Sequence, residues 1–320
     1  MDLNQAGQGA LETSSLTDIL LPIVLGIIML GVGLGLRFSD FRLLFRQPRG
    51  VLAGLIGQLV LLPLAASLVV VLFVVAFGLE YPLALGLLLL AAVPGGATSN
   101  MLTWLARGDT ALSVTLTAIT SLGSFLFAPV IFWLTTNALY GSTEAIAIPF
   151  SAIVELSAAV VAGPVLLGMV LGHWFPRLVA VVDRPLRVFS ILVLVVLISG
   201  IIAQNRAGFW GNVAATVPAA LTLNLLAMGG GFLVARLFRL GIAQTRTAVI
   251  EVGFQNGTFA ILLAVTQLDS TRAALMPGFY SLAMFLTGGL LAWVWAQRTA
   301  TTDDVGAVGR TPTLTADAEP

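Results

Sequence analysis

Long apolar runs, divided by short polar or arginine-bearing links, repeat from residue 16 almost to the C-terminus. Each is long enough for a bilayer core, which takes roughly 20 apolar residues as helix. The pattern predicts nine helical spans, near 16–36, 50–77, 82–106, 110–134, 146–172, 186–204, 213–235, 246–268 and 274–297. Two of them are interrupted. The third carries Val93-Pro94-Gly95-Gly96-Ala97-Thr98-Ser99-Asn100 at its middle, where proline removes a helix donor and paired glycines permit unwinding. The eighth carries Glu251-Val252-Gly253-Phe254-Gln255-Asn256-Gly257. Backbone freed from a helix cannot face lipid, so both breaks are expected to face protein or a water-filled cavity. The fold class is therefore an all-α polytopic membrane protein. Residues 1–15 form a polar N-terminus, 16–297 the membrane domain, and 298–320 a tail expected to be disordered.

Composition agrees: 58% of the residues are hydrophobic, 9% are charged, and the mean hydropathy is +1.02. An ordinary soluble domain carries about 25% charged residues. The lipid bilayer is thus a partner of the whole chain. Zero net charge without basic clusters argues against nucleic-acid binding. The absence of cysteine excludes thiolate chemistry and Cys-type metal sites, and one histidine, His173, leaves little for imidazole chemistry. No basic residue precedes the first span, so neither a secretory signal nor a transit peptide is expected. All fifteen basic residues are arginines. With the N-terminus outside, alternating loops place Arg37, Arg42, Arg46, Arg49, Arg107, Arg177, Arg184, Arg187, Arg236, Arg239, Arg246, Arg298 and Arg310 inside, and only Arg206 and Arg272 outside. Positive charge stays on the cytoplasmic face, which predicts an inner cell membrane protein with a cytoplasmic C-terminus. The third span then runs inward and the eighth outward. Paired broken helices of opposite direction mark an inverted-repeat secondary transporter.

Glu251 is the residue hardest to explain as structure alone. A carboxylate in a span costs roughly 2.5–3.5 kcal/mol on insertion scales unless a partner or ion neutralises it. Ser99, Asn100 and Thr98 cluster at the first break, and Ser113, Thr117 and Thr120 share one face of the next span. Hydroxyl, amide and backbone oxygens with one carboxylate suit a hard cation such as Na⁺. Gln58 is a further buried amide that could join. Plainer readings exist: Ser and Thr in spans bond their own helix or glue neighbours. Gln58 and Asn224 could be such glue, Glu155 and His173 lie near span ends, and Trp104, Trp133, Trp174 and Trp210 read as interfacial anchors.

Pro94 to Asn100, then Leu105-Ala106-Arg107-Gly108-Asp109, Ala111-Leu112-Ser113 and Glu251-Val252-Gly253-Phe254-Gln255-Asn256, resemble the bile acid:sodium symporter family. Gly31-Val32-Gly33-Leu34 with Phe38-Ser39-Asp40-Phe41 resembles its first basic loop, and the likeness runs from about residue 18 to 297. It implies a core of crossed broken helices (about 50–134 and 213–297) and a panel (about 16–36 and 146–204) in a nine-span form. One Na⁺ site would fall on Ser99, Asn100, Ser113, Thr117 and Glu251. A second would fall on Gln58, Glu251, Gln255 and the carbonyls of Val252 and Phe254. Asn256 would face substrate, with Thr98, Asn224, Met284 and Phe285 as further candidates. Bile-acid-binding relatives carry a His-Asn pair where this chain has Met284-Phe285, so the implied substrate is an organic anion, bile-acid-like or a small carboxylate. The implied activity is Na⁺-coupled symport into the cell by alternating access, with Na⁺ as coupling ion, no other cofactor and no enzymatic step. A proton-coupled antiporter is the alternative, with a channel or membrane sensor behind it.

Overall fold

A proline or paired glycine inside a buried helix leaves donors and acceptors that something else must satisfy. The computed structural model describes residues 3–96, 98–141, 150–206 and 209–308, with side chains from residue 19 to 297, a few excepted. Every named element there is helical. We number them α1 (Leu3–Leu34), α2 (Pro48–Phe77), α3 (Tyr81–Ala92), α4 (Thr98–Leu105), α5 (Thr110–Leu122), α6 (Ser124–Tyr140), α7 (Phe150–Trp174), α8 (Pro176–Gln204), α9 (Phe209–Leu237), α10 (Ile242–Gly253), α11 (Gly257–Thr266) and α12 (Leu275–Val308). Among the described residues, five stretches are long and apolar enough to cross a bilayer alone: Pro48–Phe77, Phe150–Trp174, Val179–Gln204, Thr216–Leu237 and Leu275–Gln297. Two bent pairs bring the total to as many as seven, if each is one span. The third and eighth expected spans are each two short helices about a break, α3/α4 and α10/α11.

The broken pair occupies the centre. Every residue of α3 from Leu83 to Ala92 is buried, as is most of α11. A helix apolar and buried all round belongs to the interior of a large assembly of helices. Val75, Val181, Val196 and Leu286, on the outer helices, are 82%, 72%, 68% and 73% exposed, which suits hydrocarbon rather than water. Small residues set the closest approaches. A Cβ on Gly33 of α1 would lie 2.2 Å from the Val165 carbonyl oxygen, and one on Gly168 of α7 would lie 2.3 Å from that of Leu30. These two helices therefore touch backbone to backbone.

Several local features differ from the expected spans. The fourth is not one straight helix: α5 and α6 meet at 74° about Gly123, and helix continues to Tyr140. A Cβ at Gly123 would lie 2.3 Å from the Phe127 ring, so the bend needs the missing side chain. Residues 37–46, expected as a basic loop, include the helical segment Phe38–Arg46, turned 65° from the axis of α1 and packed against α5. Two helices carry a π turn, Gly57–Leu61 in α2 and Ala158–Ala162 in α7, each followed closely by proline, Pro63 and Pro164. The wider turn is one way to relieve the clash of a proline ring with the carbonyl four residues back. Gln58 sits in the first of them. At the C-terminus α12 runs to Val308, past the expected start of the tail at 298, because no glycine or proline stops it between Gly289 and Gly306. The N-terminal segment likewise is helix from Leu3, through residues expected only to be polar. Residues 309–320, the start of the fifth expected span before 150 and the Trp210 side chain lie outside the described residues.

Candidate functional site

The two breaks meet. Gly95 and Gln255 pair as a single antiparallel bridge, in which Gly96 N donates to Phe254 O and Asn256 N donates to Pro94 O, each at 3.0 Å. The crossing satisfies backbone groups that lipid could not. It also explains Gly96, where a Cβ would stand 2.9 Å from the Gln255 carbonyl oxygen. Both ends of the crossed pair are tied. At the end of the arginine-bearing loops, Asp109 N donates to Thr247 Oγ1 (2.8 Å) and Arg246 Nη1 donates to Ala106 O (2.9 Å). At the other end Arg272 and Glu80 form an exposed ion pair at 2.6 Å.

Glu251 lies in the last turn of α10, 4% exposed. Ser99 Oγ, from α4, donates to its Oε1 at 2.6 Å. From α5, Ser113 donates to Oε1 through a very short contact and Thr117 Oγ1 donates to Oε2 at 3.3 Å. Asn100 Oδ1 faces the same two α5 hydroxyls, 2.7 Å from Ser113 Oγ and 3.4 Å from Thr117 Oγ1. A hydroxyl has one proton, so neither Ser113 nor Thr117 can serve Glu251 and Asn100 together. Acceptors exceed donors. Such a surplus of hard oxygen suits a small cation without a hydration shell.

A second cluster lies at the crossing, and its bonding is complete. Gln58 Nε2 donates to Gln255 Oε1 (2.6 Å) and Val93 O (3.3 Å). Gln255 Nε2 donates to Gln58 Oε1 (3.2 Å) and Val252 O (2.9 Å). The Phe254 carbonyl is taken by Gly96.

The substrate candidates separate in space. A cavity of about 390 Å³ opens between α1, α4, α5 and α8, and Thr98 and Asn100 line it. Asn256 instead caps α11, its Oδ1 accepting from Phe259 N at 3.0 Å, with Nδ2 3.6 Å from Met29 Sδ. Asn224 is fully buried on α9 and donates to Gly253 O at 2.9 Å, where Tyr280 OH also donates at 3.0 Å. Met284 is buried, and Phe285 stacks edge-on against Phe254 with centroids 5.7 Å apart. None of these four lines the cavity. Arg187 and Ser190, which do, escaped the sequence reading; the available signal was a charge about three turns into a helix rather than at its end. His173 is exposed against Phe38, and Glu155 is exposed.

The profile of the Sodium Bile acid symporter family matches residues 22–210. The chain belongs to that family. An "Uncharacterized sodium-dependent transporter YocS" of Bacillus subtilis (strain 168) is 33% identical over 278 residues, 86% of this chain and 83% of its own. The "Probable sodium/metabolite cotransporter BASS1, chloroplastic" of Oryza sativa subsp. japonica is 30% identical across 83% of this chain and 63% of its own. A mouse "Sodium-dependent organic anion transporter" is 28% identical across 82% of this chain and 68% of its own. The chain thus spans less than two-thirds of the rice relative. This member of the symporter family is a multi-pass membrane protein and not an enzyme.

Proposed function

We propose that the protein is a secondary active transporter that carries an organic anion into the cell with Na⁺ by alternating access. The observation that carries this reading is the oxygen-rich cluster on Glu251, assembled from both breaks and from α5. A proton carrier needs one titrating acid; it has no use for Ser99, Ser113, Thr117 and Asn100 converging with it. The names of the relatives, sodium-dependent transporter, sodium/metabolite cotransporter and sodium-dependent organic anion transporter, support the same coupling and cargo class. The first ion would take Ser99, Asn100, Ser113, Thr117 and Glu251. A second would take Gln58, Gln255, Val252 O and Phe254 O beside Glu251, once the amide pair opens. Substrate would enter the cavity lined by Thr98 and Asn100.

In this proposal nine spans form an inverted repeat. The crossed helices with α2, α5, α6, α9 and α12 are the moving core, and α1, α7 and α8 the panel. The packing of α1 on α7, and of α9 on α10 and α12, supports that division, with α6 against α7 where the two groups meet. The arginine-bearing loops face the cytoplasm, with the N-terminus outside in the cell membrane. Each net charge moved inward gains about 2.3 kcal/mol per 100 mV of membrane potential. The test is uptake of radiolabelled pyruvate, pantoate and taurocholate into proteoliposomes under an inward Na⁺ gradient. Uptake that persists unchanged when choline or K⁺ replaces Na⁺ would overturn symport.

A further inference from the structure

We infer that the helical segment Phe38–Arg46, between α1 and α2, is a docking surface for an anionic phospholipid: Arg42 and Arg46 hold the headgroup phosphate, and Phe45 between them lies among the upper acyl carbons. The inference goes beyond the transport reading and depends on neither the coupling ion nor the cargo.

Residues 37–49 hold four arginines and a single acid, Asp40. That acid is turned back on the start of the segment, where its Oδ2 accepts from Arg37 N at 2.7 Å. The inner face packs on protein: Leu43 and Leu44 lie against Leu112 and Leu116 of α5. The other face is left outward. Arg42, Phe45 and Arg46 fall within one helical turn, all three are exposed, and Arg49 follows at the start of α2, exposed as well. Among the described residues no carboxylate pairs with Arg42, Arg46 or Arg49. The Phe45 ring is 87% exposed.

The depth of this face follows from its surroundings. The segment turns 65° from α1, so where α1 crosses the bilayer the segment lies nearer the membrane plane than the normal. The Phe38 ring stands edge-on to His173 at 6.2 Å, and Trp174 and Phe175 beside it are exposed. Aromatic side chains gather at headgroup level, and arginines next to apolar rings mark segments that lie in the interface. The occupant must satisfy both kinds of side chain. An acidic peptide would neutralise the guanidiniums and leave Phe45 in water. A zwitterionic lipid covers the ring but brings its own cation to the phosphate. An anionic phospholipid supplies hydrocarbon to Phe45 and an uncompensated phosphate to the two guanidiniums, whose planar forks match its oxygens. The surface is also fixed to the core: Thr115 Oγ1, between Ser113 and Thr117 on α5, shares its proton between Asp40 O (3.0 Å) and Ala111 O (2.8 Å).

The experiment melts the full-length protein in a neutral detergent during titration with dioctanoyl phosphatidylglycerol, with dioctanoyl phosphatidylcholine as the zwitterionic control. Wild type should be stabilised by the first lipid at a concentration at least about tenfold lower than by the second. Arg42→Gln with Arg46→Gln should keep the lipid-free melting temperature and raise the phosphatidylglycerol concentration for half-maximal stabilisation at least about tenfold, since each arginine is worth about fivefold at an anionic surface. Arg42→Lys with Arg46→Lys should recover most of that loss. Phe45→Ser, with every charge in place, should raise the same concentration about threefold or more. Arg236→Gln with Arg239→Gln, two exposed arginines at the end of α9, should match wild type. Equal stabilisation of wild type by the two lipids overturns the inference, and so does an equal loss in the α9 pair, which would make the effect one of diffuse charge. Stabilisation by inorganic phosphate or a polyglutamate peptide as strong as that by lipid overturns the assignment to lipid. If the glutamine pair lowers the lipid-free melting temperature, the lysine pair decides: an affinity within about threefold of wild type supports the inference, and a loss as large as the glutamine pair's overturns it.

Discussion

Two polar clusters flank the same backbone crossing with opposite hydrogen-bond stoichiometry. Around Gln58 and Gln255, four amide N–H groups meet four acceptors: the two side-chain oxygens, Val93 O and Val252 O. No N–H group is left without an acceptor. Around Glu251, three hydroxyl protons face a carboxylate and the Asn100 oxygen, and every hydroxyl oxygen keeps lone pairs of its own. In a medium without water, the first arrangement is self-sufficient and the second invites a cation. The lesson is that donor–acceptor balance separates a cluster that must be opened to bind from one ready to bind. If both take Na⁺, the Glu251 cluster fills first, and the amide pair parts only for the second ion.

Removing the surplus altogether should have the largest effect. Glu251→Ala is expected to abolish Na⁺-driven uptake and the Na⁺-dependent rise in melting temperature; transport at the wild-type rate would end the contrast. Next comes the frame common to both clusters. Gly96→Ala puts a methyl group against the Gln255 carbonyl and should cost about 1–3 kcal/mol, the usual price of overpacking, visible as a lowered melting temperature even without Na⁺. Gln58→Leu should cost a similar or slightly smaller amount, because it strands the Gln255 amide and Val93 O. Its telling readout is the Hill coefficient for Na⁺, expected to fall to about 1 if the amide cluster holds a second ion. Ser113→Ala removes one ligand from a cluster that has others, so the Na⁺ concentration for half-maximal uptake should rise only about fivefold, equivalent to about 1 kcal/mol. Smallest is Glu80→Gln: the Arg272 pair is exposed, and pairs of that kind contribute about 0–1 kcal/mol. A large transport defect there would show that the tie far from the arginine-bearing loops controls the cycle.

How far the sequence carried depends on whether a feature is local. Pro94-Gly95-Gly96 and Glu251 with Gly253 announce helix breaks by their own chemistry, and the arginine distribution supplied opposite directions, so an antiparallel meeting of the breaks could be expected. The Glu251 partners were legible for a similar reason, since Ser113 and Thr117 stand one turn apart on a face that has to look somewhere. Asn224 and Asn256 could not be assigned in this way. Each is a buried amide near the crossing, and only packing shows that one serves the Gly253 carbonyl and the other caps α11. Arg187 was counted with the inner arginines because charge near a span end has an ordinary explanation; the cavity it lines lies between α1, α4, α5 and α8, which the sequence does not bring together. Gly123 carried a bend that no proline signalled at that position, whereas Pro63 and Pro164 did mark the π turns, one turn after the fact.

The lengths of the four half-helices carry an electrical consequence. At 1.5 Å per residue, the 12 residues of α3 and of α10 span about 18 Å, the 10 of α11 about 15 Å and the 8 of α4 about 12 Å. If each broken pair crosses the bilayer, as in the proposal, the crossing sits near half depth in a hydrocarbon layer roughly 30 Å thick. An ion reaching Glu251 through a narrow path would fall through about half of the transmembrane voltage, or about 1.2 kcal/mol per 100 mV. Apparent Na⁺ affinity would then shift roughly sevenfold over that range. Where access is instead a wide aqueous vestibule the dependence shrinks, so voltage-clamped uptake would report how wide the approach to the ion is in each half of the cycle.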